Sequence, residues 1–446
     1  MSSPFFKTWI ALGVAVALGA WIWFVERERD PDAGEKLYPA LAADAVDVVS
    51  LAGGDETIRL ERDAESWRLA EPVAVAADTA TVEDLIGAVA RLEIDETLAG
   101  TGERAADFGM DPPRRVLRLL DEDGQELARF ELGGEVAGGG LVYARAPGRP
   151  DVFTVGSGIA GSLEKSAFDF RDRDLLHVER DAVVGLEVSG PEGEYALHKS
   201  GDEWRFTRPL ETRAGRWSVD GLVGLVAGLR MEEVAAEQAE SLAEYGLDPP
   251  ARRVVVDAGE AGRRILEIGS ATEAGRYYAR DAASRLVAVI PPALVEDLQK
   301  GVDELREKRV ADISSFDVQG LSAVVGGQER VWTRSTGKSE DGFDEHTWKR
   351  SVPDEAEVER SEIEDALYDL GGLEASAFVD APGPDSQYGL DAPLAVVKVR
   401  RLDKPELVIE LGRHEGRSFA RRAGDAALLE LDSDAVDEIV ESLKTL

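Results

Sequence analysis

The chain contains no cysteine at all. Disulfide frameworks, thiol nucleophiles and cysteine-ligated metals are therefore excluded together. Histidine is scarce: His177, His198, His346 and His414 are the only four, and their separations match no ligand spacing such as H-x-x-x-H. The sequence predicts no metal site, and it carries no convincing cofactor signature. Positive charge is in deficit, with 51 Lys and Arg against 88 Asp and Glu, a net charge of -37. Such a surface repels phosphate backbones and releases no counterions on meeting them, which removes nucleic acid from the expected partners. What is present is a chain of 446 residues, 43% apolar, with its acids spread among the apolar residues. That length exceeds one ordinary core, and the mixing argues for two to four folded domains with solvated acidic surfaces.

One apolar run stands apart. From Thr8 to Val25 the sequence reads TWIALGVAVALGAWIWFV, free of charge, with Trp9, Trp21 and Trp23 near its ends. At about 1.5 Å per residue it crosses most of a roughly 30 Å hydrocarbon layer, with tryptophans at the interfacial belts. It passes Ala20 into Trp21, Ile22, Trp23 and Phe24 without a small-x-small cleavage site. The expectation is an uncleaved transmembrane anchor over residues 1–25, with the lipid bilayer as a partner through residues 8–25. Flanking charges do not orient it. A short N-terminal tail and a large C-terminal part predict a single-pass inner-membrane protein, N-terminus in and domains extracytoplasmic. Residues 26–45, with Asp30, Pro31, Asp32 and Gly34 and no periodicity, read as a linker.

The rest of the chain repeats itself. A tryptophan followed five residues later by proline occurs at Trp67 and Pro72, Trp204 and Pro209, and Trp348 and Pro353. Then comes FGMDPP, YGLDPP or YGLDAP, carrying Gly109 and Asp111, Gly246 and Asp248, and Gly389 and Asp391. An aromatic-Ala-Arg triplet follows, beginning at Tyr143, Tyr278 and Phe419. The landmarks keep their order and nearly their spacing, which marks three repeat domains at 46–176, 177–312 and 313–446.

Between the first two landmarks lies one amphipathic helix. Val82, Leu85, Ile86, Val89 and Leu92 follow helical spacing, as do Val219, Leu222, Val223, Val226 and Leu229, and Ile363, Ala366, Leu367, Leu370 and Leu373. Thr81, Ser218 and Ser361 stand ahead as N-cap candidates, and Ser361 with Glu364 fits a capping box. Short runs at 46–51, 57–60, 115–120, 127–132, 141–144 and 151–155 read as strands, with counterparts at 253–256 and 396–399. A second helix closes each unit from about Ser157, Pro292 and Ser433. The fold class expected is α+β: three domains, each a mainly antiparallel sheet with two helices.

The repeated phrase could be chemistry or punctuation. Asp111, Asp248 and Asp391 have no His, Glu or second Asp held beside them in all three copies, so no catalytic residue is assigned. As structure, Gly supplies positive φ, Asp bonds neighbouring amides, Pro extends the chain and the aromatic plugs the core. Gly156, Gly158 and Gly161 spell G-x-G-x-x-G, but the sister copies carry Pro291-Pro292 and Asp432-Ser433-Asp434 there, which are helix starts and not a dinucleotide cradle. The repeated tryptophans read as core plugs in preference to sugar platforms.

With its apolar N-terminal run, W-x-x-x-x-P, the helix, aromatic-Gly-Leu-Asp-x-Pro, the steps Leu132-Gly133, Ile268-Gly269 and Leu411-Gly412, and the aromatic-Ala-Arg triplet, the chain resembles the bacterial DUF4340 family. The resemblance covers about residues 40 to 446, and the first copy departs from the pattern at Phe108 and Met110. It implies a membrane-anchored envelope protein associated with gliding-motility-type ABC transport systems, with no catalytic residue to carry over. The function expected is thus a non-enzymatic binding or scaffold module accessory to an ABC transporter. An envelope polysaccharide hydrolase using paired carboxylates remains the alternative.

Overall fold

The computed structural model describes residues 35–54, 56–338 and 344–446. The chain divides into two compact units, one ending at Arg173 and the other running from Asp174 to Leu446.

In the first unit, short alternating runs joined by tight turns build one antiparallel sheet. Its strands are β1 (Glu35–Lys36), β2 (Val48–Gly53), β3 (Glu56–Asp63), β4 (Ser66–Glu71), β5 (Val75–Ala76), β6 (Glu93–Leu98), β7 (Arg115–Leu120), β8 (Glu126–Glu135), β9 (Leu141–Arg145) and β10 (Val152–Gly156). Across the sheet they lie in the order β1-β6-β10-β9-β8-β7-β2-β3-β4-β5. The register sets Leu51 opposite both Ile58 and Leu117, so apolar residues share one face. Onto that face helix α1 (Thr79–Ala90) lays Val82, Leu85, Ile86 and Val89. Trp67, Phe130, Phe153 and Phe170 complete the core.

The second unit holds two nine-stranded sheets with the same strand order. One runs Thr212–Arg213, Glu203–Arg208, Gly193–Ser200, Gly185–Gly190, Arg252–Asp257, Arg263–Ala271, Tyr277–Asp281, Val287–Ile290 and Glu233–Ala236. The other runs Ala356–Val358, Asp344–Val352, Gln328–Lys338, Val318–Val325, Ala395–Arg401, Leu407–His414, Arg417–Arg422, Leu428–Leu431 and Ala375–Val379. Three repeated sheet domains follow from three copies of one strand order.

The fold class needs correction. Sheets of ten, nine and nine strands dominate, and helices are few and mostly short, so the domains are predominantly antiparallel β and not α+β. The extra strands were hidden for physical reasons. β6 has the sequence EIDETL, with no clean alternation, and β5 and its counterpart Thr212–Arg213 are only two residues long. No helix among the described residues is long and apolar enough to cross a membrane. The apolar run at residues 8–25, and the transmembrane helix expected of it, lie outside the described residues.

Two local expectations also change. Helix α1 begins at Thr79, and Asp78 is its cap, accepting the Thr81 amide at 3.0 Å; the later helices start at Arg216 and Arg360, ahead of Ser218 and Ser361. Residues 35–45, expected as linker, belong to the first domain: β1 pairs with β6, and Leu37 is buried with its amide on Leu92 O at 2.8 Å. The same entry bond recurs as Leu175 N to Leu229 O at 3.1 Å and Val310 N to Leu373 O at 2.8 Å.

Within the second unit, polar side chains tie the second and third sheets together. Arg306, its side chain 1% exposed, meets Asp380 at 2.7 Å and lies 3.8 Å over the Phe378 ring. Asp425, 6% exposed, takes Arg422 at 2.6 Å and Arg213 at 3.2 Å.

Candidate functional site

Two of the three landmarks of each copy, the Gly-Asp-Pro phrase and the aromatic-Ala-Arg triplet, converge in space on one knot. In the repeated phrase the glycine closes a short 3-10 turn with left-handed backbone, φ 71° at Gly109, 66° at Gly246 and 67° at Gly389. The amide after it returns to the start of the turn: Met110 N to Ala105 O at 3.1 Å, Leu247 N to Leu242 O at 3.0 Å, Leu390 N to Asp385 O at 3.0 Å. That return buries Met110, Leu247 and Leu390.

The aromatic of the phrase meets the aromatic of the triplet. Phe108 packs edge-on against Tyr143 with ring centres 4.9 Å apart, Tyr245 against Tyr278 at 5.1 Å, and Tyr388 against Phe419 at 5.1 Å. Most of these rings are half-buried, so they seal the knot's rim rather than plug the core. Beneath them, the aromatic's carbonyl sits against the strand glycine. A Cβ there would lie 2.5 Å from Phe108 O at Gly133, 2.0 Å from Tyr245 O at Gly269 and 2.4 Å from Tyr388 O at Gly412. No side chain fits at that crossing.

The triplet's arginine completes the set. Arg145 reaches Glu131 at 2.6 Å, Arg280 reaches Glu267 at 2.6 Å, and Arg421 reaches Glu410 at 3.1 Å. Each glutamate stands two residues before the strand glycine. Those glutamates escaped the sequence reading, although the triplets Glu131-Leu132-Gly133, Glu267-Ile268-Gly269 and Glu410-Leu411-Gly412 carried the signal. Arg421 also binds Asp385, and this hydrogen bond holds the Asp385 carboxyl below the usual carboxylate range. In the first copy the pair lines an open pocket of 560 Å3 together with Arg129 and Arg149. There Arg129 meets Glu131 at 2.9 Å, and Arg149 meets Glu35.

The remaining landmark residues sit elsewhere. Trp67, Trp204 and Trp348 are buried to within 1%, 2% and 3% exposure, which leaves no ring face for a sugar. Trp204 Nε1 donates to Asp220 at 2.9 Å, and the Arg62 guanidinium lies 4.6 Å over Trp67. Pro72, Pro209 and Pro353 follow cis peptide bonds. Asp111, Asp248 and Asp391 are exposed, and among the described residues none of them accepts a hydrogen bond from a neighbouring amide, contrary to the reading of the phrase. Each of these aspartates lies on the turn of its own copy. Gly156, Gly158 and Gly161 face open space, with nothing within 4 Å of a built Cβ. Among the described residues no group of three His, Asp or Glu is placed to hold a metal ion.

A family model described as a domain of unknown function, DUF4340, matches residues 67–209 and 204–393. The chain belongs to the DUF4340 family. Each matched stretch of this family opens at a repeated tryptophan, Trp67 or Trp204, so its ends fall inside the sheets and not between them. No protein of curated function matches the chain. Among solved structures, the Helicobacter pylori beta clamp in complex with carprofen is 7% identical, with 90% of this chain and 94% of that chain covered, at a TM-score of 0.16. The DNA polymerase III subunit beta from Pseudomonas aeruginosa is 9% identical, with 89% and 94% covered, also at 0.16. Similarity at that level says nothing about what this DUF4340 chain does.

Proposed function

We propose that this protein is a non-enzymatic binding or scaffold module of the cell envelope, held to the inner membrane through residues 8–25, with its three domains on the extracytoplasmic side. Its partner on this reading is a membrane protein such as an ABC-type, gliding-motility-like transporter. One observation carries the non-enzymatic part: apart from the exposed aspartates of the phrase, the side chains shared by all three copies are spent on contacts within their own domains. The aromatic pairs, the strand glycines and the Arg–Glu pairs each close a contact inside their own domain. Residues retained for shape leave recognition to the surfaces where the copies differ. The uncharged run from Thr8 to Val25 supports membrane attachment.

The test is fractionation followed by cross-linked co-purification of the full chain from its own cells. The full chain is expected in the membrane fraction after a high-salt wash, a variant lacking residues 8–25 in the soluble fraction, and transporter subunits in the cross-linked eluate. A full chain found soluble, or an eluate without membrane protein, overturns the reading. The alternative hydrolase would release reducing ends from envelope polysaccharide, and the purified chain is expected to release none.

A further inference from the structure

The open pocket of 560 Å3 in the first domain holds more positive charge than its sheet requires. All three copies set the triplet's arginine across the strand from a glutamate: Arg145 from Glu131, Arg280 from Glu267, Arg421 from Glu410. Each pairing leads into the same four-residue turn, closed by Arg149 N to Ala146 O at 3.2 Å, Ser284 N to Asp281 O at 2.9 Å and Asp425 N to Arg422 O at 3.1 Å. On this common frame the first copy carries two further arginines. Two residues ahead of the glutamate stand Arg129, Ile265 and Val408, and the turn ends in Arg149, Ser284 and Asp425. The sister copies fold without either guanidinium.

These groups are paired but not closed off. The Arg129, Arg145 and Arg149 side chains are 34%, 34% and 33% exposed. Glu131 takes Arg129 through Nη2 and Arg145 through Nε and Nη2, and Glu35 takes Arg149 through Nη2. Each arginine keeps its Nη1 without a partner among the described residues, and none of the three Nη1 atoms is sealed from solvent. Pro147 and Gly148, the latter at φ 79°, give the type II turn that sets Arg149 on the pocket's rim.

The lining sets three guanidiniums against one carboxylate, Glu131, and with Glu35 at the rim the balance is still positive, in a chain of net charge -37. The second domain's pocket of 310 Å3, where Tyr195 and Arg252 stand in the lining, sets Arg252 and Lys300 against Glu192 and Glu194 and has no such surplus. A site of inverted sign on an acidic protein selects an anion. A carboxylate presents two oxygens in one plane, which a single guanidinium fork occupies, whereas a phosphate group presents its oxygens tetrahedrally and engages several guanidiniums at once. Beyond a Debye length of about 8–10 Å the acidic surface dominates, so the pocket suits one phosphate group and not a nucleic-acid backbone. We propose that the first domain binds a single phosphate group in this pocket, with the Nη1 donors of Arg129, Arg145 and Arg149 on its oxygens. A free phosphate compound and a lipid headgroup share this chemistry. The proposal is independent of the membrane attachment and of the transporter partner.

The test is calorimetric titration of the full chain, solubilised in a maltoside detergent, with inorganic phosphate, with short-chain phosphatidylglycerol and with acetate. Two variants stand beside it: Arg149→Ser, and Arg129→Ile combined with Arg149→Ser, which gives the first copy the residues of the second. Saturable binding of at least one phosphate-bearing probe is expected; the tighter of the two tells a free compound from a headgroup. Affinity should fall by about tenfold in Arg149→Ser and further in the double variant. Hydrogen exchange of peptides covering 126–135 and 141–145 should match the unaltered chain; if the double variant loses that protection, Arg149→Ser alone decides. Absence of saturable binding to both phosphate probes, acetate binding as tightly as either, or unchanged affinity in Arg149→Ser overturns the proposal.

Discussion

Replacing Gly269 by alanine tests the knot most directly. The added Cβ would stand 2.0 Å from Tyr245 O and 3.0 Å from Leu247 Cγ. Neither neighbour yields cheaply: the oxygen is backbone, on a turn held by left-handed Gly246, and Leu247 is buried. Relief requires the turn to move by about 1 Å, which pulls Tyr245 off the edge of Tyr278. Overpacking of this kind costs about 1–3 kcal/mol, and loss of an aromatic pair about 0.5–1.5 kcal/mol, so the sum is about 2–4 kcal/mol. A chain of more than one unit does not melt in two states, so hydrogen exchange of peptides covering 243–250 and 263–271 is the proper readout. Loss of protection confined to the second domain is expected. The control is the Gly158→Ala, Gly161→Ala double variant, where both sites are open and lie in a short helix. Alanine there should leave stability unchanged or raise it by about 1 kcal/mol per site. Wild-type protection in Gly269→Ala would refute the close-crossing argument.

Other outcomes follow from the polar contacts. Glu267→Gln should weaken the second domain by about 1–3 kcal/mol, because Arg280 and Glu267 are each only 14% exposed, and a double-mutant cycle with Arg280→Ala should show coupling; additive effects would remove the pair from the knot's energetics. Asp425→Ala leaves Arg422 uncompensated at 5% exposure, with Arg213 beside it, and should cost about 3–5 kcal/mol. Calorimetry should then resolve separate transitions for the second and third domains, and an unchanged thermogram would refute their coupling through this residue. Asp169 is held below its ordinary value, first by the Ser166 hydroxyl, in a capping box at residues 166–169. A depressed folded pKa means its contribution is present above the unfolded value, about 3.9, and is lost as pH falls through the folded one. A carboxyl NMR titration of Asp169 with a midpoint at the ordinary value would contradict this.

The repetition was legible because it needs only order and spacing, and α1 and its counterparts were legible because a single helix face imposes its own period on Val82, Leu85, Ile86 and Val89. Several strands were legible too: β7 occupies the run 115–120 that alternation marks out. The extent of the sheets was not. Two-residue edge strands and the charged β6 acquire strand geometry from the neighbour they pair with, and no local pattern announces that. The caps moved for a related reason, since Asp78 wins the Thr81 amide only once the chain has turned off β5.

Composition, order and spacing alone established an acidic, cysteine-free chain of three like units, with glycine needed at the turn of each repeated phrase. That information is local, or comes from comparing the chain with itself. Only the tertiary structure decided that two landmarks far apart in each copy meet in one knot, that glutamates pair with the triplet arginines, and that Tyr195 and Arg252 of the second domain line a pocket. Contacts between distant segments depend on strand order and register, and those are settled by which faces bury together, not by any short stretch of residues.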